Sequence, residues 1–334
     1  MLPKSFAAVV CIAVLSSVGV GVAQEAPLPE QVGLSPRLVD AAVAYERYVA
    51  EAGAIRADFR DPAQVRAALK AGAAYEAGQL EQGEIAYAAM VALQDPQFVD
   101  GVRRLAAMAD ARDAAAEQLL LRPDLAADLP GAASAAARVS SALRAQGEQV
   151  AGAGRRVKQA AYDVQRQPWS VQKVADGPAR LVEVKAISAT PFRPRAEDTS
   201  RFVASVGALG DDPLAGEGRV APSPVVNRAL ALAALALLGR ADEQHEAALA
   251  PLLVEARSAG CLKMAKLNLY QCLAVAGPHY EDVFCLGQHA LIDTGRCVAA
   301  GAGAPLPAAI TEAALTSPAP APGAVMIPVA SGRR

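Results

Sequence analysis

The sequence predicts an all-α fold, in which a helical bundle with long antiparallel helices precedes a disulfide-stapled C-terminal helical hairpin. Three observations lead to this prediction. Alanine, the residue with the highest intrinsic helix propensity, dominates the composition, while aromatic residues make up only 4%. Pairs of a capping residue and proline stand where helical periodicity begins, and four of the five cysteines cluster in the C-terminal third. We therefore expect many helices around a thinly filled core.

The first 23 residues have the layout of a secretory signal peptide. Lys4 supplies the positive charge, an apolar run over residues 5–22 follows, and the small residues Gly21 and Ala23 form a cleavage site. We expect cleavage after Ala23, because prolines follow at once and no basic cluster flanks the run. An uncleaved anchor is the alternative. Cys11 would leave with the signal peptide, and the predicted location is periplasmic or secreted.

The charge balance argues against polyanionic partners. The chain carries 32 basic and 34 acidic residues, a formal net charge of −2, and removal of Lys4 with the signal peptide makes it −3. Such a chain has no electrostatic footprint for nucleic acid or anionic lipid. Beyond the signal peptide, the longest apolar stretch, residues 229–239, is about half as long as a bilayer span. We expect no nucleic-acid partner and no membrane span in the mature chain.

Residues 24–167 are expected to form an N-terminal helical bundle. Its helix starts are marked by a side chain that can cap the first turn, followed by proline at the first helical position. The same pattern recurs once after the bundle. Four pairs carry it: Ser35-Pro36, Asp61-Pro62, Asp95-Pro96 and Ser223-Pro224.

Two heptad seams within residues 96–167 predict a pair of long antiparallel helices. The first seam consists of Phe98, Val102, Leu105, Ala109, Arg112, Ala116 and Leu119. The second consists of Ala132, Ala136, Val139, Leu143, Gln146, Val150, Ala153, Val157, Ala160 and Val164. An ordinary bundle is the favoured interpretation and self-association through these helices is the alternative. Gly147, Gly152 and Gly154 each weaken the second helix by up to about 1 kcal/mol, so its pairing with another element must compensate.

Proline and glycine punctuate the rest of the chain. Residues 168–222 are expected to be a Pro/Gly-rich connector with short helices, and residues 181–187 have its only strand-like pattern. Trp169, the sole tryptophan, would either anchor a partner or fill a junction between helical layers. Residues 301–334 have the composition of an Ala/Pro-rich disordered tail.

Residues 223–300 are expected to be a C-terminal helical domain that contains the four remaining cysteines. Clustered cysteines in an exported protein indicate disulfides. A helix, a turn at Gly277-Pro278 and a returning helix would form an antiparallel hairpin, in which opposite residues have a constant sum of positions. Two pairs meet this condition to within one residue, which favours the nested connectivity over the other two. The pairs are Cys272 with Cys285 and Cys261 with Cys297.

A metal site is the weaker interpretation of the cysteines. Structural zinc ligands usually lie two to four residues apart, whereas these cysteines are about a dozen apart. His279 and His289 fall in the same segment, so a mixed Cys/His site is the alternative. We predict no metal and no cofactor.

His279, Glu281 and Asp282 are the candidate catalytic residues, because a histidine beside carboxylates can perform acid–base chemistry. The competing interpretation is that both acids stabilise the start of a helix through its dipole. No serine stands in a Gly-x-Ser-x-Gly elbow, and the glycine-rich residues 207–218 lack the Gly-Lys-Ser/Thr of a phosphate-binding loop.

The leading functional hypothesis is a non-enzymatic periplasmic or envelope protein that acts in interaction or scaffolding and has an envelope protein as its partner. It depends on the long helical seams and on the lack of a convergent polar site. One alternative is an envelope hydrolase that uses His279, Glu281 and Asp282. Another is a periplasmic carrier of a small ligand or metal, with its site between helices.

Overall fold

The computed structural model describes residues 33–207 and 222–304. Within these residues strand pairing is limited to one isolated bridge between Lys173 and Pro278, and nearly every other segment is helical, so the all-α class is confirmed. The predicted signal peptide, part of the connector and all but the first four residues of the predicted tail lie outside the described residues.

Thirteen α-helices, three 3-10 segments and one π-helix make up the described residues. The α-helices are α1 (Pro36–Gly53), α2 (Pro62–Ala73), α3 (Ala77–Ala92), α4 (Pro96–Ala106), α5 (Ala109–Leu121), α6 (Ala132–Val164), α7 (Gly177–Ser188), α8 (Ala196–Gly207), α9 (Pro224–Leu237), α10 (Glu246–Leu249), α11 (Ala256–Val275), α12 (His279–Cys285) and α13 (Thr294–Gly301). The 3-10 segments are Pro123–Asp128, Glu243–His245 and Ala250–Leu253, and the π-helix is Leu286–Asp293.

All four predicted helix starts are confirmed by capping hydrogen bonds. In α1, α2, α4 and α9, the side-chain oxygen of the capping residue accepts a hydrogen bond from the backbone N–H three residues later, and proline follows the cap. For example, Asp95 Oδ1 lies 2.9 Å from the Phe98 nitrogen. Local side-chain chemistry therefore sets these boundaries.

The prediction of one long helix over the first seam is wrong, because the helix is interrupted between α4 and α5. Phe98 and Val102 are buried, but Met108 at the break is 57% exposed and has extended backbone geometry. After Leu105 the seam continues through alanine and Arg112, which offer little apolar surface to hold one continuous helix against α6. The helix therefore ends and α5 turns toward α9 and the 3-10 segment Pro123–Asp128.

The second predicted helix is the 33-residue α6, whose apolar seam is buried. Gln146, its polar interruption, accepts a hydrogen bond of 2.9 Å from the Tyr45 hydroxyl of α1. The main antiparallel partner of α6 is the segment formed by α12, the π-helix and α13, which we call the returning arm. The long antiparallel pairing therefore forms with the cysteine hairpin and not with the preceding helices.

Glycines allow α6 and the returning arm to approach closely. An added Cβ atom at Gly154 would lie 2.7 Å from the Gly287 carbonyl oxygen, and one at Gly295 would lie 2.5 Å from the Gly147 carbonyl oxygen. Close packing against the returning arm can therefore offset the helix-propensity cost of Gly147 and Gly154. Gly152 has no such packing, because an added Cβ there would meet only the ends of arginine side chains of its own helix.

One continuous hydrophobic core contains residues from before and after the connector. Residues 181–187 lie in α7, so their strand-like pattern forms a helix, one of the short helices expected in the connector. Asp176 caps this helix through a hydrogen bond of 3.1 Å from the Ala179 nitrogen, which starts helical geometry before the β-branched residues are reached. Trp169 is partly buried against the core, as expected for a residue that fills a junction between helices.

Candidate functional site

Two disulfides join the arms of the C-terminal hairpin. Cys261 is bonded to Cys297 and Cys272 to Cys285, with Cα–Cα distances of 5.6 and 5.7 Å. These are the pairs that the sequence predicts. The first arm is α11 and the second is the returning arm, so the bridges also tie α11 to the element that packs on α6. No group of three or more His, Cys, Asp or Glu residues in the described ranges is arranged to hold a metal ion.

The two candidate carboxylates, Glu281 and Asp282, form structural contacts. Asp282 is buried in an ion pair with Arg180, whose guanidinium also donates to the Leu273 carbonyl oxygen. Burial raises the pKa of Asp282 to about 6 and outweighs the opposing effect of Arg180. Glu281 Oε2 accepts a hydrogen bond of 2.7 Å from the Gly277 nitrogen. The two acids thus hold the hairpin turn and the start of α12.

The His279 ring is not paired with either acid. Its backbone N–H donates to the Gln172 carbonyl oxygen at 3.2 Å, and its imidazole forms no hydrogen bond with Glu281 or Asp282. Partial burial, and then the nearby Arg180, lower the pKa of His279. A general base needs an orienting partner and a substrate proton within reach. The catalytic role of these residues stays a prediction without geometric support.

His289, the other candidate ligand, stabilises the π-helix. Its Nδ1 lies 2.8 Å from Asp293 Oδ2, and Gln288 Nε2 donates to Asp293 Oδ1 at 3.0 Å. No hydroxyl or thiol of the described residues is hydrogen-bonded to the His289 ring, so the histidine and Asp293 lack the third member of a nucleophilic triad.

A buried amine that the sequence did not reveal lies between α11 and the α2–α3 junction. Lys266 is 7% exposed, donates to the Ala73 carbonyl oxygen at 3.3 Å, and places Nζ 3.6 Å from the ring centroid of Tyr75. The Tyr75 hydroxyl in turn shares a hydrogen bond of 2.9 Å with Thr294. Burial lowers the pKa of Lys266 to about 7. These contacts tie the two arms of the hairpin to the N-terminal helices.

Glu84 is a second ionisable group inside the core. It is 1% exposed, its Oε2 accepts from the Ser258 hydroxyl at 3.0 Å, and its Oε1 has no hydrogen-bond partner among the described residues. Burial is the main reason that its pKa is raised to about 8, and nearby Glu81 and Glu255 raise it further. A neutral, protonated carboxyl group suits this enclosed position.

A shallow groove lies between α1, the end of α7 and the segment after α7. Its volume is about 730 Å³ and it is open to solvent. Its lining is mostly apolar, with two guanidinium groups and no carboxylate. The lining residues are Arg47, Ala74, Ala186, Ile187, Thr190, Pro191, Phe192 and Arg193.

The wall of this groove is fixed by polar contacts from behind. The Gln79 amide donates to the Phe192 carbonyl oxygen at 2.6 Å and accepts from the Phe192 nitrogen at 2.8 Å. The Arg47 guanidinium lies 3.9 Å from the Phe192 ring centroid and pairs with Glu51 at 2.8 Å. The Ser188 hydroxyl donates to the Ala73 carbonyl oxygen at 3.1 Å. These contacts hold the Phe192 backbone and the Arg47 side chain in place at the groove wall.

No family model, curated protein or solved structure matches this chain. Among the described helices, none is both long and apolar enough to cross a bilayer.

Sequence reasoning missed the groove because its lining residues are scattered over three segments. One local signal was present. Thr190 and Arg193 each precede a proline, which disfavours helical geometry and favours an extended chain at both residues. Nothing in the pattern of α1, however, indicated that Arg47 would lie over the Phe192 ring.

Proposed function

We propose that this chain is a non-enzymatic periplasmic or envelope interaction protein that binds a segment of a partner protein in the groove. The observation that carries the proposal is the open groove of about 730 Å³ with a mostly apolar lining and two arginines. Its volume falls in the range of pockets for small ligands, about 300–1,000 Å³. Arginine and aromatic side chains are enriched among the residues that dominate interface energies.

The two disulfides support the proposed compartment. Such bonds persist outside the reducing cytosol, in the periplasm or the extracellular space. Intact-mass analysis of the protein from its native host tests this part. The expected chain begins at Gln24 and gains four protons on reduction, whereas a chain that retains Met1 and has free thiols contradicts the proposal.

A groove-blocking variant tests the binding role. Ala186 is an exposed helical residue in the groove lining, so Ala186→Trp fills the groove without disturbing the core. Ala114→Trp is the matched control, since Ala114 is an exposed helical alanine of α5 that does not line the groove. Each tagged variant is expressed in the native host at wild-type level, and the amount of each copurifying protein is compared.

We expect at least one wild-type partner to be lost with Ala186→Trp and kept with Ala114→Trp. Thermal unfolding of both variants must match the wild type, which excludes misfolding as the cause. If Ala114→Trp alone removes the partner, the interface lies on the helices of residues 96–167 and the groove proposal is wrong. Equal partners in all three proteins contradict it as well.

A further inference from the structure

We propose that the occupant of the groove is an extended peptide segment in which an acidic residue lies two positions from an apolar residue. This inference depends on the proposed function and deepens it by naming the chemistry of the partner. Three properties of the residue 190–193 segment carry it: the unpaired backbone N–H and C=O of Arg193, the absence of a counter-ion for its side chain, and an apolar neighbour on the same face.

The first property, the unpaired backbone of Arg193, follows from the contacts of Phe192. Both backbone polar groups of Phe192 bind the Gln79 amide, on the side facing α3. In an extended chain the N–H and C=O of successive residues point to opposite sides. Those of Arg193 therefore face away from Gln79, and neither forms a hydrogen bond within residues 33–207 and 222–304. A peptide strand can pair with this residue by exchanging two backbone hydrogen bonds.

The charge requirement follows from the arginines. Arg47 already has Glu51 as its counter-ion. Arg193 is exposed and forms no ion pair in the part of the chain that the structure describes, and the groove lining contains no acidic side chain. A carboxylate on the occupant is the complement that this cation lacks, and arginine binds carboxylates in a favourable two-pronged geometry.

The spacing follows from strand geometry. Pro191 and Arg193 are two residues apart, so their side chains lie on the same face of the extended segment. Residues directly opposite each other on paired strands interact through their side chains. A peptide paired here therefore places an acidic residue opposite Arg193 and an apolar residue, two positions away, opposite Pro191, which lines the groove together with Ile187.

Selection of random heptapeptides displayed on phage, with the purified full chain as bait, tests this inference. The wild type is expected to enrich peptides with Asp or Glu two positions from an apolar residue. Arg193→Glu should enrich peptides with Lys or Arg in place of the acidic residue. The same variant should bind the best wild-type peptide about fivefold or more weakly. Arg104→Glu, at an exposed arginine of α4, is the matched control and should leave the selection unchanged.

Including Ala186→Trp separates the two proposals. If peptides are enriched without an acidic preference, and Ala186→Trp abolishes their binding, the groove is a binding site but the inferred chemistry is wrong. If no peptide depends on Ala186, both the inference and the groove proposal are contradicted. Circular dichroism and melting temperatures equal to the wild type are required of every variant.

Discussion

Gly154 gives the sharpest test of the packing between α6 and the returning arm. An alanine Cβ at this position would lie 2.7 Å from the Gly287 carbonyl oxygen and 2.7 Å from the Ile292 nitrogen. Both are backbone atoms, so the contact can relax only if the two helices move apart. We therefore expect Gly154→Ala to destabilise the protein, although alanine is the better helix former.

The expected magnitude is a balance of two effects. Overfilling a packed site typically costs about 1–3 kcal/mol, and backbone obstacles place this site near the upper end. The gain in helix propensity offsets about 1 kcal/mol, which leaves a net loss of about 2 kcal/mol. Gly152 is the matched control, because the nearest atoms to its added Cβ are arginine side-chain ends at 3.5 and 3.7 Å. Gly152→Ala should stabilise by up to about 1 kcal/mol.

Urea unfolding with the disulfides intact, followed by circular dichroism, measures both variants. At equal slopes, the difference in midpoint reports the difference in unfolding free energy. We expect Gly154→Ala to unfold at lower urea and Gly152→Ala at equal or higher urea than the wild type. If Gly154→Ala proves as stable as Gly152→Ala, the conclusion that α6 and the returning arm are in close backbone contact at Gly154 is wrong.

Three further predictions concern buried charges. The pKa of Glu84 is raised from 4.5 to about 8, so stability should fall more as pH rises from 5 to 8 in the wild type than in Glu84→Gln, in which buried Asp282 still titrates; urea midpoints measure both. The pKa of Lys266 is lowered from 10.5 to about 7, so the wild type should lose stability relative to Lys266→Met as pH falls from 10 to 7. A difference in unfolding free energy that does not change with pH would refute this. Arg180→Met leaves Asp282 buried without its partner and should lower the free energy of unfolding by about 3–5 kcal/mol. The double variant Arg180→Met/Asp282→Leu should recover most of this loss, whereas additive losses from the two substitutions would contradict the pairing.

The features that the sequence predicted correctly are those set by nearby residues. Side chains such as Ser35 and Asp95 bind N–H groups within one turn, so their caps are readable from composition and order. The cysteine connectivity was also accessible, because a short turn at Gly277-Pro278 restricts the two arms to an antiparallel register. In both cases local geometry determines the outcome.

The partner of α6 was not accessible, because heptad periodicity shows which face is buried but not what covers it. The predicted neighbour, residues 96–121, is close in sequence, whereas the real one follows more than a hundred residues later. Gly287 and Gly295 in the returning arm were the unused signal, since they complement Gly154 and Gly147. The groove and Lys266 were missed for the same reason, because tertiary contacts between distant segments create them.

Photocrosslinking from inside the groove in the native host tests most directly whether the groove binds a partner. A benzoylphenylalanine at exposed Thr190 lies in the groove lining, and the same group at Ala114 of α5 serves as the control. We expect a discrete adduct with an envelope protein from position 190, no such adduct from position 114, and loss of the adduct when Ala186→Trp is added. An adduct from position 190 that survives Ala186→Trp, or no adduct at all from that position, would contradict the claim that the groove binds a partner.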